Sequence, residues 1–372
     1  MSKYTVQDVF QLYGPDYIKK HNLSKEQWNV YNSITKCKTK KLGYHIITCE
    51  KCGQTTTGFN SCRNRHCPMC QSYAREEWIK KESDSILKCP YFHIVTTVPS
   101  ELNEIFMYNP KLLYNVLFKA TSESILELCD DIKWLGAKPG ITSVLHTWGQ
   151  TLEFHPHIHS IVTGGGIKNN KWVESTEEYL FKVQVLTSLF RGKFLNMLKS
   201  IRENLIFPEN LSYIIDEKSF NNFLRPLYNK PWITYIEPPK GSPENVIEYI
   251  GRYSFRVAIS NDRIKNIDNG KITFEYKDYR DKSKIKVMTI SAEEFIRRFL
   301  LHTLPNKFTK IKHYGILSNR TKKYMLKKCR ILIGQKVYSD FSINLKRKLH
   351  EFKCSCCDST SFIYSFYYPK RT

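Results

Sequence analysis

The sequence has 372 residues, of which 41% are hydrophobic, 13% aromatic and 25% charged, a composition typical of folded globular proteins. No apolar run reaches the roughly 18 residues that span a bilayer, and the first residues lack the apolar core of a signal peptide, so we expect a cytoplasmic protein. The formal net charge of +23 favours a polyanionic partner, and nucleic acid is the first candidate.

The N-terminal part of the chain divides into a helical segment and a cysteine-rich block. Residues 1–35 have the spacing of short helices with aromatic anchors. Six of the 12 cysteines then fall between Cys37 and Cys70. Because no secretory signal precedes them, clustered cysteines indicate metal binding rather than disulfide bonds.

Two Cys-x-x-Cys pairs in this block have the spacing of a structural zinc site. Cys49 and Cys52 form the first pair, and Cys67 and Cys70 form the second. Four thiolates suit Zn²⁺, so these four residues are the predicted ligands of one ion. The candidates for additional zinc ligands, at a second site or in place of a cysteine, are Cys37, His45, Cys62 and His66.

The segments that follow alternate between strand-like and helical patterns. Period-two alternation predicts strands at 91–99, 140–150, 158–166 and 232–239, whereas helical spacing covers 101–129, 183–205 and 243–258. Asn269-Gly270 predicts a hairpin turn, and Ser291 begins a capping box that opens a helix to about Thr303. Strands separated by helices, together with hairpin signals, predict an α+β fold around an antiparallel sheet.

His157 and His159 are the candidates for a second kind of metal site. Residues i and i+2 of a strand point to one face, so both imidazoles can bind one ion. On the preceding strand His146 and Gln150 share a face, and we assign Gln150 as the third ligand. Two imidazoles, an amide oxygen and water fit Mg²⁺ or Mn²⁺ with positions left open for a phosphate. Glu153 and His155 are the alternative candidates for the third ligand.

Tyr249 and Tyr253 lie one turn apart on a predicted helix and therefore share a face. A tyrosine can attack phosphorus and hold it as a phosphodiester, and Arg252 and Arg256 can bind phosphate oxygens beside it. Spacing alone does not separate this interpretation from ordinary packing, because the chain contains 23 tyrosines.

The sequence from Pro305 onward is strongly basic, with 16 Lys and Arg against 3 Asp and Glu. Tyr and Phe are interleaved with these cations and can stack on bases. We therefore predict a DNA-binding region here. Its cysteine knuckle has no evident partner pair, so we assign no metal to Cys354, Cys356 and Cys357.

Several segments resemble, in the expected order, the insertion-sequence-ninety-one family of rolling-circle transposases. "NSCRNRHCPMCQ" resembles the zinc domain of that family, and "HTWGQTLEFHPHIH" followed by "GGG" resembles its metal strand. "YIGRYSFRVAISNDRI" and "IKHYGILSNR" resemble its downstream motifs. The similar segments run from about Cys37 to Arg320, which is most of the chain.

This resemblance implies a single-strand nuclease of the HUH type, in which His157 and His159 bind a divalent ion and Tyr249 and Tyr253 are paired nucleophiles. It implies cleavage and rejoining of single-stranded DNA at insertion-sequence ends and at target DNA, through a 5′-phosphotyrosine. The expected cofactors are catalytic Mg²⁺ or Mn²⁺ and structural Zn²⁺. The expected location is the nucleoid of a prokaryotic cell.

The resemblance and the patterns together predict four regions. These are a helical segment at 1–35, a zinc-binding domain at 36–75, an HUH catalytic domain at 76–290 with a central antiparallel sheet flanked by helices, and a basic DNA-binding region at 291–372. Two alternatives remain at this point. One is a rolling-circle replication initiator or relaxase with the same chemistry, and the other is a non-enzymatic, zinc-dependent DNA-binding protein.

Overall fold

The computed structural model describes residues 3–82, 85–175, 180–237, 251, 254–335 and 353–369. The described helices are α1 (Val6–Lys20), α2 (Lys25–Lys36), α3 (Pro68–Glu82), α4 (Asn103–Tyr108), α5 (Pro110–Asp130), α6 (Val183–Ser200), α7 (Glu217–Asn229), α8 (Ala292–Leu301) and α9 (Lys322–Leu332). The described strands are β1 (Tyr44–Cys49), β2 (Thr55–Phe59), β3 (Tyr91–Thr97), β4 (Lys138–Trp148), β5 (Phe154–Lys168), β6 (Lys171–Glu174), β7 (Thr234–Glu237), β8 (Ile264–Asp268), β9 (Lys271–Asp278), β10 (Lys284–Ser291), β11 (Ile311–Gly315) and β12 (Phe362–Tyr367).

A fully antiparallel central sheet has the strand order β11-β4-β5-β3-β7, with β6 added beside the end of β5. Strand β5 is the longest of the described strands and lies in the middle of the sheet. Its side chains alternate between the two faces. The sheet therefore has one face for the core and one for the site described below.

Helix α5 covers the core face of the central sheet. Ile158 and Val162 of β5 point to this face and belong to apolar clusters that include residues of α5 and α6. A buried hydrogen bond of 2.7 Å joins Thr96 of β3 to Thr121 of α5. The opposite face carries Ile161, which clusters with Ile79 of α3 and with residues of α9.

A second core joins the N-terminal helices to the C-terminal half of the chain. It contains residues of α1 and α2, the hairpin β8–β9 and helix α8, together with Trp148 at the end of β4. The hairpin turns at Asn269 and Gly270, which both have positive φ, as the sequence predicted. Ser291 caps α8 by accepting a hydrogen bond from the amide of Glu294 at 3.1 Å.

A three-stranded sheet of order β10-β9-β8 lies in this second core, and another, of order β12-β1-β2, joins a C-terminal strand to the cysteine-rich block. Strand β12 pairs with β1 over six residues, from Tyr44 opposite Tyr367 to Cys49 opposite Phe362. The residues of the predicted C-terminal region are thus shared among three parts of the fold. Helix α8 lies in the second core, β11 at the edge of the central sheet, and β12 beside the cysteine-rich block.

The α+β class with antiparallel sheets is confirmed, as is the presence of an N-terminal cysteine cluster. The four predicted domain boundaries stay predictions. Among the described residues, no helix is long and apolar enough to cross a membrane.

Candidate active site

Three histidines from the two central strands meet on the face opposite α5. His157 and His159 lie two residues apart on β5 and share that face. His146 of β4 stands directly opposite His157 in the antiparallel register. One ring nitrogen of each lies within 4.8 Å of the others, and the Nε2 atoms of His157 and His159 are 3.1 Å apart.

The protonation of His157 follows from its hydrogen bond to the backbone. Its Nδ1 lies 2.6 Å from the carbonyl oxygen of His155, and a carbonyl can only accept, so Nδ1 carries the proton. Burial lowers the pKa of His157 to about 3, and repulsion from Arg256 and from the charge that His155 or His93 carries when protonated adds to this effect. The ring is therefore neutral near pH 7, and its Nε2 presents a lone pair.

His93 of β3 orients the ring of His159 through a hydrogen bond to its Nδ1. The Nδ1 of His159 lies 2.9 Å from the Nε2 of His93, and the Nδ1 of His93 lies 3.2 Å from a carboxylate oxygen of Glu237 on β7. An ionised carboxylate only accepts, so the Nδ1 of His93 donates to Glu237. In the tautomer in which the Nε2 of His93 accepts from His159, the Nε2 of His159 also presents a lone pair.

Two lone pairs therefore face each other across 3.1 Å at His157 and His159. Burial and the charges of the neighbouring histidines and Arg256 hold the pKa of His159 well below its usual range, so a proton is a poor bridge between them. A metal cation fits this donor set, because neutral imidazole nitrogens are its ordinary ligands and the second hydrogen bond of each ring fixes its orientation.

Replacing His93 with alanine is expected to weaken metal binding without removing a ligand. A residue that orients a metal-binding histidine typically contributes 10–100-fold in affinity, so we expect Mn²⁺ to bind His93→Ala about 10–100-fold more weakly in a calorimetric titration. His93→Gln should recover part of the affinity because its amide oxygen can accept from His159. His313→Ala, on β11 of the same sheet, is the control, and unchanged affinity in His93→Ala would contradict the assignment.

Gln150, the predicted third ligand, has other partners in the structure. Strand β4 is irregular between His146 and Trp148 and ends there, so Gln150 lies in the following turn. Its amide oxygen accepts from the backbone amide of Lys277 at 3.4 Å, and its amide nitrogen lies 3.4 Å from the hydroxyl of Tyr279. His146 supplies the third nitrogen instead, and we replace Gln150 by His146 in the candidate set.

Tyr249, Tyr253 and Arg252 lie outside the described residues. Gly251, which stands between them in sequence, is buried, and a Cβ placed on it would meet Ile79 of α3 at 2.7 Å. The ring of Phe255 lies near the Trp78 ring of α3, with ring centres 5.9 Å apart. Gly251 and Phe255 are therefore packed against α3, on the same face of the sheet as the histidines.

Two cationic side chains, Arg256 and Lys310, lie beside the histidines. Arg256 is exposed, and its charge contributes to the lowered pKa of both His157 and His159. The Nζ of Lys310 donates to the carbonyl oxygen of Arg256 at 3.0 Å and lies 5.0 Å from the ring centre of Trp148. Burial and the charge of Arg65 lower the pKa of Lys310 to about 7.

A small cavity lies between these cations and the second core. None of the described residues that line it is acidic. Its wall also holds Trp148, which stacks on His146 with ring centres 4.7 Å apart. The cations that line it are Arg65, Arg256 and Lys310.

The cysteine-rich block holds a first group of four thiols, which we call cluster A. Its members are Cys37, Cys62, Cys67 and Cys70, whose Sγ atoms all lie within 4.8 Å of one another. The Sγ of Cys70 is 3.6 Å from those of Cys37 and Cys62. A Zn–S distance of about 2.3 Å places thiolates of a tetrahedral site about 3.8 Å apart, so cluster A has the dimensions of a zinc site.

The structure does not bring the four predicted zinc ligands to one point. Cys67 and Cys70 belong to cluster A, whereas Cys49 at the end of β1 and Cys52 in the turn after it have other partners. The sequence spacing allowed one shared ion, but the end of α2 brings Cys37 to the second pair, and the loop before α3 brings Cys62.

The two histidines among the additional candidates have other partners. The Nδ1 of His45 lies 3.0 Å from the side-chain oxygen of Asn60. The Nε2 of His66 accepts from the backbone amide of Leu304 at 3.3 Å, and burial followed by the charges of Arg65 and Lys310 lowers its pKa to about 3. Cys37 and Cys62 are therefore the additional candidates that join cluster A.

Comparison with known families gives two matches that lie one after the other along the chain. Residues 9–98 match a family described as "Transposase zinc-binding domain". Residues 140–324 match a family described as "Putative transposase". Cluster A lies in the first region, and all three histidines of the candidate metal site lie in the second.

Two curated relatives are similar over most of the chain. The "Putative transposase y4qJ" of Sinorhizobium fredii is 42% identical over 337 residues, which cover 89% of this chain and 85% of the relative. The "Transposase for insertion sequence element IS801" of Pseudomonas savastanoi pv. phaseolicola is 28% identical over 292 residues, 76% of this chain and 68% of the relative. No solved structure matches the chain.

These matches define a transposase, a class of protein that binds DNA and moves a DNA element. The chain belongs to the insertion-sequence-ninety-one (IS91) family of transposases and carries the N-terminal zinc-binding domain of that family. The resemblance that the sequence motifs predicted is thereby confirmed, and transposition is favoured over a replication initiator or relaxase.

Proposed function

We propose that this transposase cleaves and rejoins single-stranded DNA at the ends of its insertion sequence and at a target, as an HUH nuclease that drives rolling-circle transposition. The observation that carries the proposal is the cluster of His146, His157 and His159, in which two Nε2 lone pairs converge at 3.1 Å beside exposed Arg256. Such DNA lies in the nucleoid of the cytoplasm, which is where we place the reaction.

His146, His157 and His159 are the residues that would hold a catalytic divalent ion. When bound, the ion supplies Lewis-acid polarisation of a non-bridging oxygen of the scissile phosphate. Three imidazole nitrogens form a softer donor set than the two imidazoles and one amide oxygen expected from the sequence. Since imidazole suits transition metals better than Mg²⁺, we expect Mn²⁺ to support cleavage better than Mg²⁺.

The covalent step is assigned to Tyr249 and Tyr253. The phenolic oxygen of one tyrosine attacks phosphorus and loses its proton, so an O–P bond forms as the bond from phosphorus to the 3′ oxygen breaks. The 3′ oxygen takes up a proton and leaves as a free hydroxyl, and the 5′ end stays on the tyrosine. The second tyrosine can cleave another strand in the same way, after which the 3′ hydroxyl resolves the covalent link.

The test is incubation of the full chain with single-stranded oligonucleotides and Mn²⁺, followed by denaturing electrophoresis. A protein band shifted by covalently attached DNA supports the nuclease, and its disappearance with a chelator supports the metal requirement. If the protein retards single-stranded DNA on native gels but gives no covalent band with any insertion-sequence end, the proposal is wrong. The non-enzymatic DNA-binding protein is then the better description.

Arg256 and Lys310 are expected to bind the phosphate backbone near the cleavage site. Removing one cation that binds a phosphate should weaken single-strand binding and reduce the slope of log affinity against log salt by about 0.7. Arg256→Ala with Lys310→Ala should therefore reduce the slope by about 1.4. Lys171→Ala is the matched control, because Lys171 is exposed on β6, at the other end of β5. Fluorescence anisotropy at several salt concentrations measures the slopes.

The lowered pKa of Lys310 adds a pH dependence to this binding. Its free pKa of about 7 leaves the amine mostly neutral above pH 8, whereas a nearby phosphate favours the charged ammonium and raises the pKa. Binding therefore takes up a proton, and the affinity should fall as the pH rises from 7 to 9. Lys310→Ala should lack this part of the pH dependence, and an equal dependence in both proteins would contradict the assignment of Lys310 to the phosphate.

A further inference from the structure

A second group of four thiols, which we call cluster B, forms where the two ends of the chain meet. Its members are Cys49 and Cys52 from the turn after β1, and Cys354 and Cys357 from the turn before β12. All four Sγ atoms lie within 4.8 Å of one another. The Sγ of Cys49 is 3.6 Å from that of Cys357, and the Sγ of Cys52 is 3.4 Å from that of Cys354.

The N-terminal half of cluster B is a knuckle, a tight turn that presents two thiols. The amide of Cys49 donates to the carbonyl of Gln54, and the amide of Gly53 donates to the carbonyl of Cys49, both at 2.9 Å. Gly53 has a positive φ of 73°, which glycine adopts without strain. The backbone amides of Lys51 and Cys52 point to the sulfur of Cys49.

The C-terminal half of cluster B repeats this turn position by position. The amide of Cys354 donates to the carbonyl of Ser359 five residues on, and the amide of Asp358 donates to the carbonyl of Cys354, again at 2.9 Å. Asp358 has the positive φ, 54°. Two segments far apart in the sequence thus adopt the same hydrogen-bonded turn and direct their thiols at each other.

We infer that cluster B binds a second structural Zn²⁺, separate from the ion that cluster A would hold. The Sγ distances of 3.4 and 3.6 Å are close to the separation of about 3.8 Å in a tetrahedral thiolate site and far above the S–S bond length of about 2.05 Å. Two facing knuckles with backbone amides at their sulfurs stabilise thiolates, which are the form that binds zinc.

The site would fasten the C-terminal strand to the N-terminal zinc-binding block. Its cysteines are separated by 302 residues at Cys52 and Cys354, and residues 353–369 lie outside both matched family regions. Strand β12 continues from the second knuckle, and Phe362 pairs with Cys49 itself. The ion would therefore fix the register between β12 and β1.

The experiment is a zinc count on the purified full-length protein by plasma mass spectrometry, with protein measured by amino-acid analysis. We expect the double variant Cys354→Ser, Cys357→Ser to hold one zinc ion per chain fewer than the wild type, whatever zinc the histidine cluster takes up. Cys356→Ser is the matched control with the wild-type zinc content, because Cys356 is exposed in the same knuckle but absent from cluster B. Equal zinc contents in the double variant and the wild type would overturn the inference.

A second measurement separates loss of the site from loss of the fold. Hydrogen exchange in the double variant should increase at 44–49 and 362–367 and stay unchanged in α5 and β4. Zinc loss accompanied by faster exchange throughout the chain would show general unfolding and overturn the assignment of the ion to cluster B. Thiol counting under denaturing conditions provides the other check, since a Cys49–Cys357 disulfide in the native protein would also overturn it. None of these measurements depends on DNA cleavage.

Discussion

Replacing both Tyr249 and Tyr253 with phenylalanine is expected to abolish the covalent protein–DNA band completely. Phenylalanine keeps the aromatic ring but lacks the oxygen that attacks phosphorus, so binding should persist while chemistry stops. Each single variant should still form an adduct, because the other tyrosine remains, but it should fail to transfer a strand between two DNA ends. Denaturing gels report the adduct, and labelled donor and target strands report the transfer.

The control for this pair is Tyr279→Phe. Tyr279 is exposed on the turn after β9 and its hydroxyl contacts Gln150, so the variant tests whether removing any tyrosine oxygen near the site affects the assay. It should form adduct at the wild-type level. Adduct at wild-type yield in the double variant would remove both tyrosines from the mechanism and leave another nucleophile to be found.

Replacing His159 with alanine is expected to slow cleavage roughly a thousandfold while leaving DNA binding almost unchanged. A Lewis-acidic ion contributes several kcal/mol to such a transition state, and each 1.4 kcal/mol or so corresponds to a factor of ten in rate. The Nδ1 of His159 is held by His93, which in turn contacts Glu237, so its replacement removes a proposed ligand whose orientation is fixed. Single-turnover cleavage in Mn²⁺ measures the rate.

His155→Ala is the matched control, because His155 lies on the same strand and is a rival for the third ligand position on sequence grounds. Its ring lies beside that of His157, with centres 5.2 Å apart, but it is not a member of the three-nitrogen cluster. Cleavage by His155→Ala should stay within a few fold of wild type. An equal decrease in both variants would place the ion nearer to His155 and contradict the proposed ligand set.

Local patterns in the sequence predicted most of the elements that position the site. The alternation in 91–99 and 140–150 gave β3 and β4, and Asn269-Gly270 gave the hairpin, because each depends on interactions within a few residues. The helix cap at Ser291 was predictable for the same reason, because it depends on residues close in sequence. The shared face of His157 and His159 followed from the period of a strand alone.

The third member of the histidine cluster could not be predicted in this way, since it depends on how two strands are aligned. His146 and Gln150 share a face in any straight strand, and only the observed register places His146 opposite His157. The irregularity after His146 and the end of β4 at Trp148 then carry Gln150 away. The signal that could have found His146 was its position on that same predicted face.

The sequence did not predict which cysteines come together, and the reason here is different. Spacing identifies knuckles but does not say which knuckles meet, and the partner of Cys49 and Cys52 lies about three hundred residues away at Cys354 and Cys357. Cluster A, in turn, takes Cys37 from the end of α2 rather than from a paired motif. Long-range tertiary interactions decide both.

The pairing of β12 with β1 means that this sheet is completed only after a late segment of the chain has been made. Strand β1 is made early, yet the edge that pairs with β12 stays open until residues 362–367 have been synthesised. An unpaired edge invites association with other chains, so the cysteine-rich block is exposed to misassembly until β12 has been made. A gene copy cut short before Phe362 would therefore yield a product whose β12-β1-β2 sheet is permanently incomplete, even with all three histidines of the candidate site present.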